Sequence, residues 1–406
     1  MTCRRGAHRT LRRVEVNTLS FIRGRLTFLS TGSVGVGFQN DGGYRFNERV
    51  CACHAASDVL GSLLDSRTAL EEFFCGCAAR LRRLRMQLIV HYEEHHELVR
   101  FSACEDVRFY NSFKIVVRTE SGNCFVEEVP LSEGLPETLM EDIRDFTSTV
   151  VGSQLSMATL VRRSAAFEQL DEALTVLLEP RAAGAFFHEI IGHMIERDTY
   201  ELVKARLSHA SFDPKIIFRD DVRDYERVCG LNKFDDEGTK IVPITLVADG
   251  KLCNTMDTQR FSGEGGLSGF ARAESILYPP LPRMRMSLVS FSTHIERPSL
   301  PVRYFRMEKF LNGSVMPGSM NFWIQGSGAI VQEGVRVALL PHAVVTGNVI
   351  DALERIPYMG DDERAFFADC FKGGQTVRVG YRAPSVVLEP LRISGTAYML
   401  RKDDRE

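Results

Sequence analysis

The chain has 406 residues, of which 44% are apolar and 25% are charged, a composition typical of a globular protein with room for two domains. The formal net charge of −3 provides no general attraction to nucleic acids or anionic membranes, so neither is expected as a partner. No apolar run reaches the roughly 18 residues that a transmembrane helix needs. Ten dispersed cysteines without a secretory signal favour free thiols and a cytoplasmic location.

Residues 1–170 are predicted to form an N-terminal domain that mixes helices and strands. Alternating apolar residues indicate a small antiparallel sheet over 12–47, and helical spacing indicates helices over 48–65 and 67–86. Further strands are predicted at Met86–Cys104, Phe113–Thr119 and Cys124–Val129, and further helices at 135–148 and 153–170. We expect the domain boundary near residue 170.

Residues 171–406 are predicted to form a β-rich domain. A short strand at Leu174–Leu178 and the helix-breaking Pro180 precede the helix that carries most of the chemistry. Residues 199–230 are charged and only weakly periodic. From residue 240 onward, many short apolar runs separated by glycine turns indicate an antiparallel barrel or sandwich. The predicted fold class is therefore α+β.

Residues 186–198 contain two histidines and three acids within an apolar helical pattern, which predicts a buried helix. These polar residues are His188, Glu189, His193, Glu196 and Asp198. Burying imidazoles and carboxylates is costly unless something pairs them, and a metal ion does so. The alternative is a pair of core histidines with satisfied hydrogen bonds.

The spacing of the histidines predicts an irregular helix. In the zinc-protease motif HExxH the histidines are four residues apart and share one helix face. His188 and His193 are five residues apart, which separates them by roughly 140° around a regular α-helix. A π-helical turn would return them to one face, and Gly192 lies where distortion costs least. We therefore predict a bulged helix over 188–193; a straight helix would exclude a shared metal.

A catalytic zinc site needs a third protein ligand. The candidates are Glu196, Asp198, His209, His294, His342 and Cys370. Cys370 is favoured because the following glycines allow close backbone approach and because Lys372 favours the thiolate form that zinc binds.

These motifs resemble the TldD/PmbA metalloprotease family. Leu178–Gly184 leads into the HExxxH sequence with its trailing acids, and Phe234–Thr239 and Pro279–Met284 follow in the family's order. The run from Cys370 to Gln375 is similar to the family's C-terminal CGKxGQ, with Phe371 in place of the usual glycine. The resemblance covers about residues 170–395.

The resemblance implies that His188, His193 and Cys370 bind Zn²⁺ and that Glu189 is the catalytic base of a peptidase acting on unfolded or leader peptides. It also implies a heterodimer in which a TldD subunit holds the metal and a TldE/PmbA subunit lacks it, with a homodimer as the alternative. Because this chain keeps the motif, we expect the metal-bearing kind.

Two further sets of residues are expected near the metal. Glu196 and Asp198 would accept hydrogen bonds from the imidazole N–H groups and fix their orientation; the alternative is a pair of solvated acids. The glycine-rich stretch 260–270, with Gly263, Gly265 and Gly266, is predicted to be a mobile substrate loop, and the alternative is a plain surface loop.

Two other functions compete with a general peptidase. The same hydrolytic site would serve a tailoring enzyme that cleaves a leader or a small-molecule C–N bond in a natural-product pathway. A non-catalytic regulatory subunit is the third hypothesis, and the intact HExxxH motif argues against it.

Overall fold

The computed structural model describes residues 8–22, 25–40, 43–51, 67–83, 85–100, 105–119, 124–129, 140, 143–144, 165–221, 233–261, 269–275, 277–292 and 300–401. These residues form an α+β fold built mainly from three six-stranded sheets. Among them, no helix combines the length and the apolar character needed to span a bilayer.

The first sheet is antiparallel throughout, and a helix packs against it. Its strands lie in the order β3-β2-β1-β4-β5-β6. They are β1 (His8–Ile22), β2 (Arg25–Asn40), β3 (Gly43–Cys51), β4 (Met86–Arg100), β5 (Glu105–Thr119) and β6 (Cys124–Val129). Helix α1 (Arg67–Arg82) buries Leu70, Phe74 and Leu81, and the rings of Phe74 and Phe21 lie 5.0 Å apart.

Five later strands close into a barrel. They are β7 (Ala166–Leu178), β14 (Arg303–Met316), β15 (Asn321–Gln332), β16 (Val335–Asn348) and β20 (Val386–Met399). Their order is β16-β15-β14-β7-β20, and β16 also pairs with β20, which completes the ring. The short strand β17 (Tyr358–Met359) adds to β20, and helix α4 (Val349–Glu354) follows β16.

A third sheet, with strand order β10-β9-β8-β13-β19-β18, lies beside the barrel. Its strands are β8 (Ile216–Asp220), β9 (Ile244–Ala248), β10 (Lys251–Leu252), β13 (Met286–Phe291), β18 (Arg364–Lys372) and β19 (Gln375–Ala383). A separate short pair joins β11 (Ala271–Arg272) to β12 (Leu281–Pro282).

The helical segment between these layers positions the candidate site. Helix α2 (Pro180–Phe187) starts at a proline, which is favoured at the first helical position because its missing N–H has no partner there anyway. It contacts β7 and β14 of the barrel and β13, β18 and β19 of the third sheet. Helix α3 (Arg197–Leu207) follows after an irregular turn. The segment is therefore buried on both sides, as its apolar pattern predicts.

The structure confirms the α+β class and the barrel, and it corrects four expectations. Helices were predicted over residues 48–51 and 166–170, but these residues form the end of β3 and the start of β7. Pairing with neighbouring strands outweighs the weak helical periodicity of these segments. Helix α3 was not predicted, since only Val203 and Leu207 of its residues are buried. The β-rich half is not purely antiparallel, because β7 pairs with β14 and β13 with β19 in parallel. The domain boundary near residue 170, which lies within β7, stays a prediction.

Candidate metal centre

The helix that carries the two histidines changes its winding at the motif. His188–Gly192 is a π-helix between α2 and a 3₁₀ turn at His193–Ile195, and the His193 N–H donates to the carbonyl of His188. This i→i+5 bond is the predicted irregularity, at the predicted place. It brings the two imidazoles together with ring centroids 4.9 Å apart.

Cys370 approaches the two histidines from β18. Its Sγ lies 3.4 Å from Nε2 of His193, and the ligand atoms of His188, His193 and Cys370 all lie within 4.8 Å of one another. The chain then turns sharply into β19 through Gly373 and Gly374, whose φ angles of +60° and +78° suit glycine best. Residues far apart in the chain thus form one compact set of two imidazoles and a thiol.

Three charged side chains are linked to His193 through hydrogen bonds and ion pairs. Oε2 of the buried Glu196 lies 2.8 Å from His193 Nδ1, which is the contact that an orienting role of this acid requires. Lys372 Nζ donates to both Glu196 and Asp198 at 2.6 Å. Asp198 therefore reaches the imidazole only through Lys372 and Glu196, which differs from the direct contact that the sequence suggested.

These contacts shift the pKa values of Cys370, Glu196 and His193. Burial raises the pKa of the Cys370 thiol, but hydrogen bonds and charge from His188 and His193 outweigh burial and lower it to about 5. Burial likewise opposes ionisation of Glu196, but His193 and Lys372 lower its pKa to about 2. Burial disfavours protonated His193, yet the carboxylate of Glu196 and the Cys370 sulfur raise its pKa well above the usual value. Before a metal binds, these shifts favour a thiolate on Cys370 beside an imidazolium on His193.

The residues present fit a metal ion. Nδ1 of His188 is buried and makes no hydrogen bond to the described part of the chain, so this ring is not a satisfied core histidine. Two imidazoles and a thiolate are the nitrogen and sulfur donors that zinc accepts in tetrahedral sites. A catalytic zinc site also needs an open fourth position, and the set faces a cleft of about 540 Å³.

The cleft contains the predicted base and several residues that the sequence did not single out. Glu189 lines it, and burial raises the pKa of its carboxyl group against the opposing charge of His193 and His188. Tyr381 also lines it, packed against Gly184, where a Cβ would lie 2.3 Å from the tyrosine ring. The tight fit of a glycine against an aromatic ring cannot be inferred from sequence spacing.

Some predicted site residues are not part of this cluster. Gly263, Gly265 and Gly266 of the expected substrate loop, and the candidate ligand His294, lie outside the described residues. His209 and His342 are described, and the metal-binding group found among the described residues does not include them.

Comparison with known proteins agrees with the geometry. The profile of the PmbA/TldA metallopeptidase C-terminal domain matches residues 171–395. A metalloprotease of Synechocystis is 28% identical over 243 residues, which cover 55% of this chain and 50% of the relative. A zinc metalloprotease TldD homolog of Saccharolobus solfataricus is 27% identical over 233 residues, covering 54% and 51%. The chain thus spans about half the length of the curated relatives it matches.

Solved structures share the fold across nearly the whole chain. TldE from Thermococcus kodakarensis superposes with a TM-score of 0.62 at 12% identity, covering 96% of each chain. A Thermotoga maritima protein described as a DNA gyrase modulator gives 0.64 at 13%, covering 95% of this chain and 96% of that one. At such identities the likeness concerns the fold alone. Because the family profile matches more than half of its length, this chain belongs to the PmbA/TldD metallopeptidase family.

Proposed function

We propose that this chain is a zinc-dependent peptidase of the TldD type that hydrolyses unfolded or leader peptides. The observation that carries the proposal is the set of ligand atoms from His188, His193 and Cys370 within 4.8 Å of one another, beside Glu189 in one cleft. Relatives named metalloprotease and zinc metalloprotease support it over the matched half of their length.

The donor set favours zinc over harder ions. Magnesium, calcium and manganese prefer oxygen ligands, whereas a cysteine thiolate with two imidazoles suits zinc. When bound, zinc would supply Lewis acidity that lowers the pKa of water and polarises a scissile carbonyl. The thiolate is available at neutral pH because the pKa of Cys370 is about 5.

Glu189 is the proposed general base. It follows His188 in the π-turn and lines the cleft, so it faces the space in which a substrate carbonyl would lie. As a carboxylate it takes the proton of the attacking water, and as a carboxylic acid it returns that proton to the leaving amine. Burial raises its pKa, which strengthens it as a base.

The lining of the cleft suits a polypeptide segment. Strand β18, which supplies Cys370, pairs within the described residues with β19 alone, and in this proposal an extended chain binds along its other edge. Arg181, Asn312, Asp369 and Lys372 add polar groups to the lining. Backbone recognition of this kind would accept many sequences, as a peptidase for unfolded or leader peptides requires.

A partner subunit belongs to this proposal. Membership of the PmbA/TldD family suggests assembly with a TldE/PmbA-like chain, and a homodimer is the alternative. We place the assembly in the cytoplasm, where cysteines such as Cys370 stay reduced.

Metal analysis of the purified chain, alone and with a TldE/PmbA-like subunit, tests the proposal directly. We expect close to one zinc per chain and a large loss of zinc in Cys370→Ala. Purification in the presence of zinc without retention of the metal would contradict the proposal.

Turnover of an unfolded protein substrate tests the base. Glu189→Gln should retain zinc and lose activity by about 10²-fold to 10⁴-fold. Glu201→Gln is the matched control, because Glu201 lies on α3 in surface ion pairs with Arg197 and Lys204. Full activity in Glu189→Gln would exclude this residue as the base.

A further inference from the structure

Arg283 is a fully buried arginine that binds the backbone of the strand carrying Cys370. Its Nη2 donates to the carbonyl of Cys370 at 2.5 Å, and its Nη1 donates to the carbonyl of Lys372 at 3.3 Å. Carbonyls two residues apart point to the same side of a strand, so one planar guanidinium reaches both. Arg283 thus holds the backbone on both sides of Phe371.

The next residue contacts the other half of the site. The Met284 N–H donates to Oε1 of Glu196 at 3.1 Å, and Glu196 in turn orients His193. The Met284 side chain also packs on Gly192 of the π-turn, where a Cβ would lie 1.9 Å from its sulfur. Arg283 and Met284 therefore connect the strand that bears Cys370 with the turn that bears both histidines.

The burial of Arg283 is not explained well by stability alone. A guanidinium with no exposed surface loses its hydration, and Nε of Arg283 makes no hydrogen bond to any described residue. Its bonds go to neutral carbonyls, whereas the equally buried Arg285 has a carboxylate partner, Asp220, at 2.7 Å. A buried cation without an acidic partner among the described residues is costly, and its two bonds to the strand of Cys370 point to a role in the site.

We propose that Arg283 is a positioning residue for the metal centre, which fixes the backbone of Cys370 so that its thiolate stays within reach of both imidazoles. This rests on the metal site proposed above. Zinc–sulfur and zinc–nitrogen bonds allow little variation around about 2.3 Å and 2.1 Å, so a small shift of β18 weakens binding. Arg283 touches no substrate in this role and acts only through Cys370.

Arg285 provides a matched control two residues further along the same segment. It is equally buried, and its hydrogen bonds go to Asp220 and to the carbonyls of Gly269 and Val242. Lysine at either position keeps one positive charge but loses the planar donor pair. Arg283→Lys and Arg285→Lys should therefore disturb folding to a similar degree. Only Arg283→Lys changes the hydrogen bonds that hold the backbone of Cys370.

The experiment uses the full chain loaded with Co²⁺, whose bond to a thiolate gives an ultraviolet charge-transfer absorption. We expect Arg283→Lys to weaken Co²⁺ and Zn²⁺ binding, measured by chelator competition, by about 10-fold to 100-fold and to diminish the thiolate band. Arg285→Lys should keep the affinity and the band of the wild type, even if its melting temperature falls.

Each other outcome rejects a defined part of the proposal. Unchanged affinity and band in Arg283→Lys would reject positioning by Arg283 and leave the metal centre intact. Equal losses in both variants would show general destabilisation and also reject it. A wild-type chain without the thiolate band would reject the proposed metal centre, and positioning with it.

A second variant keeps the test decisive if Arg283→Lys folds poorly. Arg283→Gln removes the charge and ends about two bonds short of the Nη atoms that bind the two carbonyls, and its melting temperature can be followed with and without Zn²⁺. Because a ligand stabilises the folded state according to its affinity, the zinc-induced rise should be smaller in Arg283→Gln than in Arg285→Gln. An equal rise in both would overturn the proposal.

Discussion

At the scale of single residues, a series of contacts between positively and negatively charged side chains supports the candidate metal centre. Lys372 bridges the carboxylates of Asp198 and Glu196, Glu196 binds the imidazole of His193, and His193 contacts the sulfur of Cys370. Without metal, the last two form an imidazolium and a thiolate, as their shifted pKa values indicate. Because a metal binds only neutral imidazole, uptake must expel the proton of His193.

The first prediction is therefore that the affinity of the site for Zn²⁺ increases as the pH rises. The raised pKa of His193 keeps the ring protonated to higher pH, whereas Cys370, with a pKa of about 5, is already ionised at neutral pH. Affinity for Zn²⁺ should rise by about tenfold per pH unit until His193 is neutral, with release of about one proton. Calorimetry in buffers of different ionisation enthalpy measures that proton, and binding without proton release would contradict the assignment.

The second prediction separates the two acids behind His193. Glu196→Gln should weaken zinc binding by about 10-fold to 100-fold, because the buried carboxylate orients the ring. Asp198→Asn should have a smaller effect, since Lys372 keeps its bond to Glu196.

The pH profile of zinc binding provides an independent readout for these acids. Removing the Glu196 carboxylate lowers the pKa of His193, so the affinity of Glu196→Gln should level off at lower pH than that of the wild type. Equal affinities and profiles for both variants would contradict the orienting role of Glu196.

At the scale of elements, the π-turn depends on a close contact between Gly192 and Met284. A Cβ on residue 192 would lie 1.9 Å from Sδ and 2.6 Å from Cε of Met284, which are flexible side-chain atoms within the core. The π-turn therefore brings the two histidines together, and its glycine leaves space for the side chain of Met284.

The third prediction follows from this contact. Gly192→Ala should lower the free energy of unfolding by about 1–3 kcal/mol, because Met284 must move within a packed core. In a Met284→Ala background the same change should cost much less, since the space is then empty. Denaturant unfolding of the two single variants and the double variant gives the coupling energy, and additive effects would contradict the contact.

At the scale of the whole molecule, a buried acidic turn that includes Glu237 makes the stability of the fold depend on pH. Glu237 is partly buried, and its carboxylate accepts the N–H of Gln259. Burial and the nearby charge of Asp235 raise its pKa to about 7. Since the folded-state pKa lies above the unfolded value, this group contributes stability below about pH 4.5, and that contribution is lost as the pH rises through 7.

The fourth prediction concerns this turn. Glu237→Gln should be more stable than the wild type at pH 8, by on the order of 1 kcal/mol after allowance for partial exposure, and equal or less stable at pH 4. The glutamine carbonyl can still accept the N–H of Gln259, so packing is kept. Thermal unfolding at both pH values checks the sign, and a variant that is less stable at pH 8 would contradict it.

Much of the candidate site could be predicted from the sequence, because both histidines and Glu189 lie close together in the chain, within residues 188–193. The interval between His188 and His193 and the glycine inside it predict a bulge, and the structure has a π-turn there. The α+β class, with a barrel or a sandwich in its second half, followed from short apolar runs between turns. The parallel strand pairs did not, because a strand's neighbour depends on the path of the whole chain.

The sequence by itself therefore determined the two histidines, the adjacent glutamate and the irregular helix that carries them, since these depend on covalent spacing and helical geometry alone. The sequence already favoured Cys370 among six candidate ligands, but only the tertiary structure brought its thiol to the histidines, joined Asp198 to Lys372, and placed the guanidinium of Arg283 on the strand of Cys370. Those contacts join residues 177, 174 and 87 positions apart, and no local pattern specifies how a barrel and a sheet fold back to bring them together.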